Sequence, residues 1–210
     1  ILHALMTSNS SDPDFPNVYP LARDLLNLMI DSYKRGVSTV TPDVFSFNAV
    51  LKCAVRDGNI PPQDMISLYT DRMQNEFSLK PDSFTYNMVL ESCLHCRNDD
   101  DDDEDRRAAL NIAVATLGRL RDDSTIVPTV QTYSSMVRVV NELVTQDDDD
   151  REKMLKHVFL LCCTDGLLNP FIVELFETSF SKETWETIYT QQLLPTGESP
   201  PEWTRVAQEG

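Results

Sequence analysis

Apolar side chains recur three and four positions apart along most of this chain, the period of a helix that buries one face. Phe47, Val50, Leu51 and Ala54 form one such stripe, and Tyr86, Val89, Leu90 and Cys93 repeat it 39 residues later. Tyr133, Met136, Val137 and Val140 repeat it again after a further 47. Each stripe predicts a helix of about four turns, called helix A below. A proline and then a good N-cap residue precede each one: Pro42-Asp43, Pro81-Asp82 and Pro128-Thr129. A second amphipathic stretch follows each helix A, over 63–74, 106–121 and 152–163. The segment 18–34 is the second helix of an earlier pair whose first helix is 1–8, and 171–180 with 182–193 make a last, atypical pair.

The prolines at 42, 81 and 128 are 39 and 47 residues apart, and Pro170 follows after 42. Setting aside the acidic runs Asp99 to Asp105 and Asp147 to Asp150 brings every interval to 38–40 residues. Self-similarity at that period marks an array of small units, none of which buries its apolar face alone. The expected fold is all-α: a right-handed superhelical stack of antiparallel helical hairpins. Its units fall at about 1–42, 43–81, 82–128 and 129–169, with an atypical 170–194. Inserts tolerated at one point of a repeat belong to loops on one edge, so 98–105 and 147–150 are expected as acidic loops. The Pro-, Gly- and Glu-containing segment 195–210 is expected to be disordered.

Charge complicates this outline. The 210 residues carry a net charge of −16, and the two acidic runs supply 11 of the 34 acidic side chains. A nucleic-acid binder ordinarily shows a basic excess, and this chain shows none. Five cysteines scattered over apolar positions point to a reducing compartment rather than a disulfide frame. No apolar run approaches the roughly 20 residues that span a bilayer, so no membrane partner is expected. The chain opens on Ile1, as an excised or processed piece would, and Ile1 to Met6 lacks the basic, Ser-rich character of a transit peptide.

Pro42-Asp43-Val44-Phe45-Ser46-Phe47-Asn48-Ala49-Val50-Leu51 and Pro81-Asp82-Ser83-Phe84-Thr85-Tyr86-Asn87-Met88-Val89-Leu90 resemble the signature of the pentatricopeptide repeat family. Leu68 to Met73, followed by Lys80-Pro81-Asp82, is similar to the end of that family's unit. The unit at 130 matches more loosely and the terminal ones barely, so the resemblance covers about three quarters of the chain. It implies single-stranded RNA recognition in a mitochondrion or plastid, one base per unit. The base is read by the polar residue after the aromatic together with the residue that ends the unit. Here those pairs are Asn48 with Asp82 and Asn87 with Thr129, the first a uracil-type pair and the second a departure from the usual Asp, Asn or Ser. Ser134 stands third, with its partner left open near Phe171. Phe45, Phe84 and Gln131 stand where the family uses an aliphatic residue to sandwich bases.

An amide both donates and accepts, so it matches a pyrimidine edge, while a planar neighbour stacks on the ring. Lys52 and Arg138 occupy equivalent places suited to phosphate, but Glu91 occupies the third, and Arg56 and His95 align with Glu142. The plainer reading makes Asn48 and Asn87 polar surface residues early in a helix. A scaffold for protein partners, drawn by the acidity, is the alternative function. An array positioning a catalytic domain outside the chain is a third.

Cys93, His95 and Cys96, with His157, Cys162 and Cys163, invite a zinc reading, but the thiols fall on apolar stripes and suit burial better. The aspartate runs lack the alternating ligands and glycine of a calcium loop. Trp185, Tyr189 and Trp203 suit the capping of a last apolar face. With no Gly-rich phosphate loop and no nucleophile beside a base, the chain is expected to be non-catalytic. No metal, cofactor or small-molecule substrate is expected.

Overall fold

A computed structural model describes residues 2–7, 18–37, 41–58, 60–95, 103–145 and 149–188, and these are all-helical with connecting turns. The expected tail 195–210, with Trp203, and the expected helical segment 189–193, with Tyr189, lie outside the described residues, as do 98–102 and 147–148 of the acidic runs and Cys96. In chain order the helices are α1 (Leu2–Thr7), α2 (Tyr19–Lys34), α3 (Val44–Asp57), α4 (Pro62–Ser67), α5 (Ser83–Ser92), α6 (Asp103–Asp122), α7 (Val130–Leu143), α8 (Asp149–Thr164), α9 (Pro170–Ser179) and α10 (Lys182–Ile188). The chain divides into two compact units, Ile1–Arg119 and Leu120–Gly210, so the segment 82–128 is shared between them.

In the first unit α3 is the central element. It packs on α1, α2, α5 and the stretch that follows α4. That explains its nearly continuous burial: Phe47, Ala49, Val50, Leu51, Cys53 and Ala54 are all 0–1% exposed, because a helix with neighbours on several sides needs apolar residues round most of its surface. The helix begins where Asp43 accepts a hydrogen bond from the Ser46 amide at 2.8 Å. It ends at Gly58, whose φ of +70° is the left-handed stop that a side chain resists. His95 lies against Gly58, and a Cβ there would sit 3.5 Å from its Nδ1.

The second helix expected over 63–74 changes character midway. After Ser67 the backbone widens into a π-helical coil, Leu68–Glu76. The positions of Met65, Tyr69 and Met73, all buried, are spaced alike in either coil, so sequence period does not separate the two. Tyr69 sets its ring edge-on to Tyr86, centroids 5.8 Å apart, and its hydroxyl accepts from Arg119 Nη1 at 3.1 Å. Arg72 Nη1 donates to Asn27 Oδ1 at 2.8 Å, tying this coil to α2. Lys34 and Glu76 form an ion pair between the same two elements.

The acidic stretches expected as loops are helical at their C-terminal ends. Asp103, Glu104 and Asp105 form the first turn of α6, and Asp149 and Asp150 open α8. A helix N-terminus carries unpaired N–H groups and partial positive charge, which stabilise the carboxylates of Asp103, Glu104 and Asp105 at the start of α6.

In the second unit α7 packs on α8 and α9, and α8 on α9. Arg121, from the last turn of α6, donates to the Tyr133 hydroxyl at 2.6 Å and to Asp165. The Tyr133 hydroxyl in turn donates to Asp165. Tyr133 is fully buried. Burial, followed by the hydrogen bond to Asp165, holds its phenol well above the usual tyrosine range. The unit closes on aromatics: Phe159 meets Phe176 edge-on at 5.1 Å and Trp185 edge-on at 6.1 Å.

Candidate nucleic-acid interface

The start of each helix A is fixed by a side-chain cap, and that cap places the candidate residues. Asp82 accepts from the Thr85 amide at 2.8 Å, while the Thr85 hydroxyl accepts from the Asp82 amide at 3.2 Å, a reciprocal capping box. Because α3 packs on α5, Asn48 of α3 reaches that cap. Its Nδ2 donates to Asp82 Oδ1 at 3.0 Å and lies 3.2 Å from Oδ2. Its Oδ1 accepts from the Thr85 hydroxyl at 2.7 Å. The structure thus brings together Asn48 and Asp82, 34 residues apart in the chain, through a carboxylate whose first task is to start a helix.

Asn48 is only 6% exposed, so the polar surface residue of the plainer reading is in fact packed into this cap. An amide has two N–H donors and two oxygen lone pairs. Asp82 and Thr85 engage the amide at both ends, its nitrogen and its oxygen. One turn earlier on α3, Phe45 is 49% exposed. It contacts His3 at 5.6 Å between ring centroids. Phe84, the equivalent residue of α5, is partly buried. Lys52, one turn beyond Asn48, is partly buried, and Glu91 takes its place on α5. Arg56 is drawn to the Leu5 carbonyl at 3.3 Å.

The other candidates divide between the units. Asn87 lies on α5 and is 2% exposed. Thr129 lies in the second unit, where it caps α7 by accepting from the Thr132 amide at 3.3 Å. Ser134, one turn into α7, donates to the Gln131 carbonyl at 3.1 Å. Gln131 and Arg138 are exposed on the same helix.

Proline spacing misses the register of the last unit. There the cap is Asn169, which accepts from the Ile172 amide at 2.9 Å, and Pro170 follows it inside the first turn. Counting from caps rather than prolines places Asn169 with Asp43, Asp82 and Thr129. Phe171, 60% exposed, then stands with Phe45, Phe84 and Gln131. The signal was present in Asn169-Pro170, since proline is favoured just inside a helix start as well as just before it.

Among the described residues no three His, Cys, Asp or Glu side chains gather to hold a metal ion. Cys53, Cys93 and Cys162 are buried in their helices. Burial raises the thiol pKa of Cys53, Cys162 and Cys163, the last to about 12. No described helix is long and apolar enough to cross a membrane. A comparison of the chain with protein-family models, curated proteins and solved structures finds no match.

Proposed function

We propose that this chain is a non-catalytic, pentatricopeptide-type helical array that binds single-stranded RNA, with its hairpins stacked in a right-handed superhelix. The observation that carries the reading is the pairing of Asn48 with Asp82 across two packed helices A. A conformationally fixed amide beside an exposed phenylalanine combines an edge-reading group with a stacking surface. Asn48 and Asp82 select a pyrimidine, Phe45 and Phe84 flank the base, and Lys52 and Arg138 meet phosphates. The same resemblance assigns the protein to a mitochondrion or plastid. With so few cations, binding is weak and falls with salt.

The test is fluorescence anisotropy with labelled uridine-rich RNA at about 50 and 200 mM salt, on the full chain and on Asn48→Ala. Binding at the lower salt, weakened about five- to tenfold by the substitution, supports the reading. Failure of the unsubstituted chain to bind at the lower salt refutes it. The net charge of −16 favours a second reading, a scaffold for a basic protein partner. Capture of a lysine-rich peptide with no RNA binding would establish that one instead.

A further inference from the structure

The ring of His3 stands beside Phe45. We infer that His3 is a further RNA-contacting residue: when protonated, its imidazolium meets a phosphate of the strand that lies on Phe45. This rests on the reading of the chain as an RNA binder.

Cations are short on this face. Of the equivalent places on α3 and α5, Lys52 holds one and Glu91 the other. Lys52 is partly buried and lies about two turns along α3 from Phe45. His3 is exposed on α1, and α1 packs on α3. The His3 and Phe45 rings meet at 5.6 Å between centroids, tilted by 39°. That contact places the imidazole at the side of a phenylalanine that is 49% exposed. Histidine is the side chain that ordinarily gains its charge between about pH 5 and 8.

The elements packed on α1 are α3 and α2, and most of their charged groups are engaged within the chain. On α3, Arg56 reaches the Leu5 carbonyl at 3.3 Å and Asp57 at 3.7 Å. Asp57 also accepts from the Tyr19 amide at 2.7 Å, and Asp43 accepts from the Ser46 amide. On α2, Arg23 pairs with Asp24 and Lys34 with Glu76, while Asp31 is exposed. Tyr19, Tyr33 and Cys53 complete the titratable set; burial raises the first and last, away from that range. A proton on His3 therefore adds a cation beside Phe45, where Lys52 is the nearest other candidate on α3. Meeting one more phosphate of a single strand steepens the fall of log affinity with log salt by about 0.7. A fourfold rise in salt then costs about two- to threefold more affinity with His3 charged than with it neutral.

The experiment is fluorescence anisotropy with a labelled uridine oligomer at about 50 and 200 mM salt, each at about pH 5.5 and 7.5. It compares the full chain with His3→Phe and His3→Arg. Uracil does not titrate in this range, so a change in salt dependence belongs to the protein. Phe keeps a ring against Phe45 and takes no proton, while Arg carries its charge throughout. In the unsubstituted chain the salt-induced loss should be about two- to threefold larger at the lower pH. His3→Phe should show the shallower dependence at both pH values, and His3→Arg the steeper one at both. Circular dichroism checks folding, and if His3→Phe loses helicity, His3→Gln carries the same expectation. His95 and His157 remain in every variant, so a pH-dependent salt slope that persists in His3→Phe is theirs and overturns the role of His3. Equal slopes at the two pH values in the unsubstituted chain overturn it as well. Either result leaves the RNA reading standing, whereas no binding at the lower salt at either pH overturns both. A residue that only buttressed Phe45 would change affinity without linking its salt dependence to pH.

Discussion

Replacing Tyr133 by Phe removes one oxygen from the middle of the second unit and leaves the ring in place. That oxygen accepts from Arg121 at 2.6 Å and donates to Asp165. Arg121 and Asp165 remain paired with each other in the variant, so no buried charge is stranded. The loss is then a hydrogen bond to charged partners, at the lower end of its usual range, about 1.5 kcal/mol at neutral pH. The pH dependence follows from the raised phenol pKa, caused first by burial and then by the bond to Asp165. The folded chain keeps this proton more tightly than the unfolded chain. Its contribution to stability is therefore complete below about pH 10, the ordinary tyrosine value, and shrinks above it by up to about 1.4 kcal/mol per pH unit. Phe has no proton to lose, so the gap between the two proteins narrows as pH rises past about 10. Tyr19, also raised by burial, leaves some alkaline sensitivity in the variant. Urea unfolding followed by far-ultraviolet circular dichroism, at neutral pH and in steps through the alkaline range, measures both effects. Equal stabilities at neutral pH, or a gap that stays constant through the alkaline range, would refute the reasoning.

Two further outcomes are expected. Phe47, fully buried at the centre of α3 and 5.9 Å from the Phe77 ring between centroids, costs about 3–5 kcal/mol when cut to Ala. Hydrogen exchange over Val44–Asp57 should accelerate accordingly, and unchanged protection there would contradict the packing. Burial pushes the thiols of Cys162 and Cys163 up, so these two thiols should react slowly with iodoacetamide at neutral pH in the native protein, read by peptide mapping, and quickly once it is unfolded in urea. Rapid alkylation of either in the native protein would contradict their placement in α8.

Phe47, Tyr86 and Tyr133 expose their helices in the sequence because burial on one side of a coil leaves a period, and a period survives without coordinates. Asp43, Asp82 and Thr129 mark the starts because their side chains satisfy backbone donors only there. The π coil after Ser67 leaves no such mark, since Met65, Tyr69 and Met73 are spaced alike in both kinds of turn. Asn169 was obscured by Pro170, which serves equally well on either side of a cap. The clearest gap concerns Asn48. The pattern names it as a polar residue early in a helix. Its burial and its bonds to Asp82 and Thr85 depend on how α5 lies against α3, which no local signal encodes. The acidic runs read as inserts from composition, yet the start of α6 draws Asp103 to Asp105 into its first turn.

Photo-crosslinking with RNA carrying 4-thiouridine, followed by peptide mapping, tests the central claim most directly. The claim predicts attachment in the segments that hold Phe45 and Phe84, at the starts of α3 and α5, reduced in Asn48→Ala. Attachment confined to α2 or α8, or none above background at low salt, would contradict it.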